Sequence, residues 1–182
     1  MSSPPTAADT TLSHAPATAE PPAHDSELRY LLLAAQREGA RQMTAQLRPF
    51  NLTPAQAEIL LVLAERAPLT LAEVGRLIVC ESGSPSRIVD TLTKRSLIDR
   101  EPGQVDRRVV YLRLTPRGQE LIPVLRGIDT RTDAMITDCL SLEEQAVMTR
   151  GLRRILGGTP SGTALAARFE YEKYPAGTGY EK

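Results

Sequence analysis

The sequence contains no Trp, two Phe and five Tyr among 182 residues. A core built from this chain must be mostly aliphatic, and a hydrophobic content of 41% is enough to form one. The two Cys, Cys80 and Cys139, lie far apart in the sequence, which argues against a disulfide framework. Both His lie near the N-terminus, at His14 and His24, so the rest of the chain offers no His-based triad and no His-containing metal site.

The chain also lacks net charge and long apolar runs. Lys and Arg number 22 and so do Asp and Glu, so any surface that binds nucleic acid must be a local basic patch. No run of about 18 apolar residues occurs, and we expect no membrane span. The N-terminus has no basic segment followed by an apolar one, which predicts no signal peptide and a cytoplasmic protein.

Recognisable catalytic arrangements are missing from the body of the chain. We find no Gly-rich phosphate loop, no paired Cys and no His there. The sequence therefore predicts a protein that is not an enzyme and that binds no cofactor or metal.

Composition divides the chain into a body and two tails. Residues 1–24 are rich in Pro, Ala, Ser and Thr and are expected to be disordered, because they cannot bury enough apolar surface to offset ordering entropy. The body spans about 25–157. In the C-terminal tail, 158–182, the segment "ALAARFEYEKY" could form a short helix that docks on a dimer or on DNA, although the neighbouring "PAGTG" favours a free end.

Apolar spacing and capping signals predict six helices in the body. Three starts carry a complete capping box and one carries a Thr cap with a first-turn Pro: Thr53 with Gln56, Thr70 with Glu73, Ser141 with Glu144, and Thr115 with Pro116. The predicted helices are 26–48, 54–66, 71–78, 82–95, 116–139 and 142–156. Pro123 should kink or interrupt the fifth of them.

Between the fourth and fifth helices the apolar period becomes alternating, which predicts two short strands joined by a turn. The first strand covers Leu97–Arg100, and Pro102 and Gly103 break the chain after it. In the second strand Val110, Leu112 and Leu114 alternate with Val109, Tyr111 and Arg113, which is the period of a half-buried strand. The connecting "GQVDRR" has no core to support, so Arg107 and Arg108 should project from its tip.

The fourth predicted helix, in "SGSPSRIVDTLTKR", has two contrasting faces. Ile88, Val89 and Leu92 share the inner face, while hydroxyls, one carboxylate and long cations occupy the outer one. Pro85 suits the first helical turn, and Ser84 before it can cap the helix. An isolated helix with such a face is most simply explained as solvated, and only its neighbours favour another role.

Three helices followed by a two-stranded wing predict a mainly α fold with a small β-wing: a winged helix-turn-helix domain over 51–115. The fourth helix then occupies the position that enters a DNA major groove. The side chains predicted to contact DNA from this helix are Ser84, Ser86, Arg87, Thr91, Lys94 and Arg95. Arg107 and Arg108 suit the minor groove, Asp106 should orient an Arg of the wing, and Asp90 is expected to pair with Lys94 at i+4.

Helices outside the winged domain predict a dimer. The segments 25–50 and 116–157 carry more apolar surface than one small winged domain can cover, and soluble monomers rarely expose that much. We therefore expect these two segments to form a helical dimerisation region.

Residues 52–156 resemble the MarR family of transcriptional regulators. The similarity is carried by "LTPAQAEILLVLA", "LTLAEVGRLI", "SRIVDTLTKRSLIDR", "VDRRVVYLRLTPRGQEL" and "LSLEEQAVM", and the family's wing pattern D-x-R is matched by Asp106 and Arg108. The resemblance implies a homodimer that binds a palindromic double-stranded DNA operator, acts as a repressor and responds to a small-molecule effector. The expected effector site is the crevice lined by the first, second and fifth helices.

Two other functions remain open at this stage. Cys80 precedes the fourth helix and could act as a redox switch, although Glu81 beside it disfavours the thiolate. A winged helix can also serve as a protein-interaction module that does not bind DNA, which the neutral net charge allows. Cys139 lies on an apolar helix face and is expected to pack in the dimer core.

Overall fold

The computed structural model describes residues 26–79 and 84–170. Along these residues the elements are α1 (Glu27–Leu47), a 3₁₀ turn (Arg48–Phe50), α2 (Pro54–Arg66), β1 (Leu69–Thr70), α3 (Leu71–Leu77), α4 (Pro85–Lys94), β2 (Ile98–Pro102), β3 (Val110–Leu114), α5 (Pro116–Thr137), α6 (Leu142–Leu156) and α7 (Pro160–Phe169). The prediction of a mainly α fold with a small β-wing is confirmed. None of the described helices is long and apolar enough to cross a bilayer.

The chain divides into two compact units, residues 1–35 and 36–182. The described part of the first unit is the start of α1, and its apolar side chains are exposed: Leu28 is 59%, Tyr30 57% and Leu31 58% exposed. The Arg29 guanidinium lies 4.2 Å from the centroid of the Tyr30 ring. Residues 1–24, predicted to be disordered, lie outside the described residues.

The core of the second unit is built around α2, which is buried along most of its length. Ile59, Leu60 and Leu63 are at most 1% exposed. The other elements of this unit supply further aliphatic side chains to the same cluster, among them Leu47, Val74, Val89, Leu92, Ile98, Leu112, Leu125 and Ile128. Among the described residues neither Phe nor Tyr belongs to the fully buried set, so the core there is aliphatic, as the composition predicts.

The three predicted capping boxes are present. In the box of α2, the Gln56 backbone N–H donates to Thr53 Oγ1 at 3.3 Å and the Thr53 N–H donates to Gln56 Oε1 at 3.0 Å. The same reciprocal pair begins α3 and α6. Each box satisfies two backbone donors that a helix start leaves free, so the sequence fixes where these helices begin.

The strands form an antiparallel sheet in the order β1-β3-β2. The two-residue strand β1 was not predicted, because two residues are too few for an alternating pattern. Within β3 only Leu112 is fully buried, whereas Val110 is 43% exposed. Val110 pairs with Pro102 at the end of the sheet nearest the wing tip.

Thr115 joins the sheet to α5. Its hydroxyl donates to the Ser96 carbonyl at 2.7 Å and accepts from the Gly118 N–H at 3.0 Å. A Cβ on Gly118 would lie 2.2 Å from the Leu97 carbonyl oxygen, so only Gly permits this approach. The first turn of α5 is thereby fixed against the residues that follow α4.

Helix α5 continues through Pro123 without interruption. The interruption that the sequence analysis allowed does not occur, because Pro removes only one hydrogen bond from a helix of 22 residues. α5 ends at Thr137, slightly before the predicted end. Cys139 lies beyond that end and is exposed, with its thiol donating to the Met135 carbonyl at 3.4 Å, so its packing in a dimer core stays a prediction.

The described part of the C-terminal segment forms helix α7, which packs against α3. Ala164 and Ala166 are its buried residues. The sequence left open docking on a dimer, docking on DNA or a free end, and favoured the free end; this part instead packs on α3 of the same chain. Residues 171–182 lie outside the described residues.

Asp129 on α5 is a half-buried carboxyl in acidic surroundings. Burial raises its pKa above the usual 3.8, the Asp133 carboxylate raises it further, and the Arg168 guanidinium on α7 lowers it. Two carboxylates of α2 also raise it, Glu65 and Glu58.

Asp129 should therefore contribute less to stability as pH rises through its titration. The folded state binds this proton more tightly than the unfolded chain, so the contribution of Asp129 is most favourable below its unfolded pKa and is lost as pH rises through its folded pKa. We expect Asp129→Asn to remove this loss, so that its free energy of unfolding exceeds that of the parent at pH 7 and converges with it at low pH. Urea unfolding at several pH values checks this, with the exposed Glu143→Gln as control. A stability difference that does not vary with pH would refute it.

Candidate DNA-binding interface

Helix α4 packs its inner face on α2, α3 and β2. Val89 and Leu92 are fully buried and Ile88 is 7% exposed. The opposite side presents Arg87, Asp90, Thr91 and Lys94 to solvent, and Ser86 is half-buried. The two faces predicted from the sequence are both present, and the polar face is an exposed helical surface of the kind that fits a major groove.

The first turn of α4 differs from the prediction. Ser84 occupies the N-cap position, but its side chain makes no capping hydrogen bond. Its hydroxyl instead lies 2.7 Å from the Ser86 hydroxyl, while its carbonyl accepts from the N–H groups of Arg87 and Ile88. The prediction that the Ser84 side chain caps the helix is wrong, because Ser86 competes for the same hydroxyl.

Asp90 also has a different partner from the one predicted. It forms an ion pair with Arg100 of β2 rather than with Lys94. The fold brings β2 beside α4, so a residue ten positions away reaches Asp90, and this pair depends on tertiary structure. Arg100 is 41% exposed in its side chain and thus adds a cation beside the outer face of α4, which the sequence analysis missed.

Arg95 follows α4 directly and contacts the junction before α2. Its guanidinium donates to the Asn51 carbonyl at 2.6 Å and to the Phe50 carbonyl at 3.1 Å. Asn51 has a left-handed backbone conformation with φ of 52°, which turns its carbonyl at the end of the 3₁₀ turn. These bonds tie the end of α4 to the 3₁₀ turn, so Arg95 holds α4 in place in the free protein.

The wing is a compact loop between β2 and β3. Gly103 N–H donates to the Val109 carbonyl at 2.7 Å, and the Asp106 carboxylate accepts from the backbone N–H of Arg108 at 2.9 Å. A Cβ on Gly103 would lie 2.6 Å from the Asp106 carbonyl oxygen. Asp106 therefore shapes the loop through the main chain of Arg108, and the side chains of Arg107 and Arg108 are exposed at its tip.

A cavity of ≈460 Å³ lies between the end of α2, β3 and the first half of α5. Leu63, Leu114 and Ile122 supply apolar surface, and two Arg and one Gln supply polar groups: Arg113, Arg126 and Gln119. The predicted effector crevice was lined by the first, second and fifth helices. This cavity is lined by α2, β3 and α5, so β3 lines it where α1 was expected. The predicted redox residue Cys80 lies outside the described residues.

These features define a winged helix-turn-helix protein, and comparison with known families agrees. Residues 52–118 match the winged helix DNA-binding domain family. The matched residues include α2, α3, α4 and the whole wing. The exposed cations of the candidate interface on α4 and the wing therefore lie within the match.

Two bacterial regulators are similar over most of the chain. The HTH-type transcriptional regulator MhqR of Bacillus subtilis is 28% identical over 130 residues, covering 71% of this chain and 89% of the relative. The HTH-type transcriptional regulator MgrA of Staphylococcus aureus is 26% identical over 132 residues, covering 72% and 86%.

Solved structures share the fold. Bordetella bronchiseptica BpsR, whose DNA binding is regulated by 6-hydroxynicotinic acid, has a TM-score of 0.64 at 23% identity, covering 73% of this chain and 96% of that one. A mutant of E. coli MarR complexed with operator DNA has a TM-score of 0.63 at 23% identity, covering 71% and 93%. The chain therefore contains a winged helix domain over residues 52–118, and over about seven tenths of its length it is similar to bacterial transcriptional regulators.

Proposed function

We propose that the chain binds a palindromic DNA operator as a homodimer, with one α4 in the major groove of each half-site. The two-faced helix α4 carries this proposal: its inner face is buried, while Arg87 and Lys94 point away from the protein. Arg and Lys donate to guanine O6 and N7 in the major groove, and Ser86 and Thr91 can donate to bases or phosphates. Ser84 adds a further hydroxyl at the helix start.

In this proposal the wing contacts the neighbouring minor groove. Arg107 and Arg108 stand at the tip of a loop whose main chain is fixed by Asp106. The minor groove has a strong negative potential where it is narrow, and Arg side chains are drawn into it. In the same proposal Arg100 is an additional cation beside α4, and Arg95 holds α4 in place.

The homodimer is supported by apolar surface that a single chain leaves uncovered. The regions proposed for dimerisation are 25–50 and 116–157, and the winged domain proposed for DNA contact is 51–115. Large apolar side chains in the proposed dimerisation regions are exposed on all three helices: Leu28, Tyr30, Leu31 and Leu33 on α1, Met135 and Ile136 on α5, and Leu142, Val147, Met148 and Ile155 on α6. A two-fold dimer predicts half-sites about 10 bp apart, centre to centre.

We further propose that the protein is a cytoplasmic repressor whose DNA binding is modulated by a small molecule. BpsR is regulated in this way by 6-hydroxynicotinic acid. The cavity between α2, β3 and α5 offers apolar walls and the guanidinium groups of Arg113 and Arg126. A molecule bound there would contact both a strand of the wing and α5, and could change their relative position.

The test is selection from random duplex DNA with the full chain, followed by titration of the enriched sequence. We expect an inverted repeat, and Arg108→Ala should weaken its binding and lower the salt slope of the affinity by about two per dimer. Ala keeps the backbone N–H that Asp106 accepts, so the loop should remain intact.

The matched control is Arg150→Ala, which removes one exposed Arg from α6. Arg150 lies outside the winged domain proposed for DNA contact, but three positions from Val147, so sedimentation must first show that Arg150→Ala is still a dimer. No enriched sequence, or equal slopes for Arg108→Ala and Arg150→Ala, would contradict the proposal.

A further inference from the structure

Helix α7 is joined to α6 by a tight turn and rests on the DNA-binding unit. Thr159 caps α7, with its hydroxyl accepting from the Gly162 N–H at 3.0 Å. A Cβ on Gly162 would lie 2.0 Å from the Leu156 carbonyl oxygen, so this turn requires Gly. Beyond the turn α7 packs on α3, the first helix of the helix-turn-helix pair.

Arg66, the last residue of α2, holds the C-terminal end of α7. Its guanidinium donates to the Arg168 carbonyl at 2.6 Å and to the Ala167 carbonyl at 3.2 Å, and it pairs with Glu170 at 3.3 Å. Carbonyls at a helix end lack partners within the helix and carry partial negative charge, so a cation there is favourable. The end of α7 is therefore fixed to α2 by a specific set of bonds.

The connection continues from α7 to the turn before α4. The Arg168 guanidinium lies 2.7 Å from Glu58 Oε1, and the same oxygen accepts from the Val79 N–H at 2.9 Å. The side chains of Arg168 and Glu58 are only 18% and 10% exposed. Val79 belongs to the segment between α3 and α4, five residues before Ser84.

We propose that α7 is a working part of the DNA-binding unit and that Arg168 is a positioning residue for α4. Arg168 fixes the Glu58 carboxylate, and that carboxylate holds the main chain at Val79, directly after α3, the helix on which α4 packs. This inference rests on the proposed sequence-specific DNA binding. It assigns to a helix outside the matched domain, residues 52–118, a part in how α4 meets the bases.

Arg168 is needed together with Glu58, because Glu58 is held in place by Arg168 and in turn holds Val79. A carboxylate that is nearly buried needs a cation and hydrogen-bond donors around it. Without Arg168, Glu58 would move toward solvent and release Val79, or would stay in place with one cation fewer beside it. Either change loosens the main chain at the end of α3, while the cations of α4 and the wing keep their charge and their access to phosphates.

The consequence is a difference between two kinds of DNA binding. Base contacts require the correct orientation of α4, whereas phosphate contacts tolerate small shifts. Loss of the Arg168–Glu58 pair should lower affinity for the operator more than affinity for unrelated duplex DNA.

The experiment compares Arg168→Ala, Arg168→Lys and Glu58→Gln in the full chain, with Arg150→Ala as the control for loss of one positive charge. Two quantities are measured: hydrogen exchange at the Val79 amide, and the ratio of the Kd for unrelated duplex to the Kd for the operator. For Arg168→Ala we expect faster Val79 exchange and a ratio about tenfold lower, which corresponds to a coupling within the usual range for contacting pairs. Compared with Arg168→Ala, Arg168→Lys should restore part of the slow Val79 exchange and part of the Kd ratio.

Glu58→Gln removes the charge that pairs with Arg168 and replaces the carboxylate with a weaker acceptor for the Val79 N–H, so it should speed Val79 exchange and lower the ratio as Arg168→Ala does, and the double variant should show no further loss. Unchanged Val79 exchange, or an unchanged ratio in Arg168→Ala, would overturn this inference alone. A parent protein without any operator preference would overturn the proposed function as well, and Val79 exchange would still show whether α7 holds the turn.

Discussion

Ile136→Glu is expected to convert the dimer to a monomer and to weaken operator binding by about 10²–10⁴-fold. Ile136 lies near the end of α5 and is 59% exposed in the single chain. In the proposed dimer it is covered by the partner, and a buried carboxylate without a partner is strongly unfavourable. Once one subunit of a dimer is bound, the second subunit meets its half-site at a high effective concentration. A monomer loses this advantage and therefore binds the operator more weakly.

The measurement for Ile136→Glu is sedimentation to determine mass, combined with titration of the operator. Ile136→Met is the matched control, since it keeps an apolar side chain of similar size and should remain dimeric. Circular dichroism should show the same helix content in all three proteins. A dimeric Ile136→Glu protein with parental affinity would place the dimer contact on another surface.

Arg87→Ala is expected to weaken operator binding by about 30-fold or more. A bidentate Arg–guanine contact contributes about 1–3 kcal/mol of discrimination, and a dimer makes that contact twice. Arg87 lies in the first turns of α4 on its exposed face, and its backbone N–H bonds to the Ser84 carbonyl regardless of the side chain. The loss should therefore come from the guanidinium and not from the helix.

Selection with the Arg87→Ala protein separates base contact from phosphate contact. If Arg87 contacts a base, the variant should lose its preference at one symmetric pair of positions and keep the others. Arg150→Ala should select the parental sequence with parental affinity. A uniform loss across all sequences would assign Arg87 to a phosphate instead.

Elements with local signals could be predicted from the sequence. Helix α2 begins at Pro54 and ends at Arg66 as expected, because a Thr cap and a Gln three residues later define its start. The wing followed from alternating apolar residues after a Pro-Gly break. These features depend on neighbours in sequence, so no tertiary information was required.

Features that depend on distant residues could not be predicted. Asp90 meets Arg100 and not Lys94, because β2 returns beside α4. Arg95 bonds to the carbonyls of Asn51 and Phe50 across 44 and 45 positions, which leaves no pattern in the sequence. Docking of α7 depends likewise on Arg168 reaching Glu58 across 110 positions.

The central claim is that the outer face of α4 contacts base edges in the major groove, once per subunit. The most direct measurement replaces each purine of the selected operator in turn with its 7-deaza analogue, which removes the N7 acceptor from the major groove and preserves base pairing. We predict weaker binding at a few purines placed symmetrically in the two half-sites. With Arg87→Ala, substitution of one symmetric pair of guanines should no longer weaken binding, whereas the other sensitive purines should remain sensitive. Equal binding of every substituted duplex by the parent protein would contradict the claim.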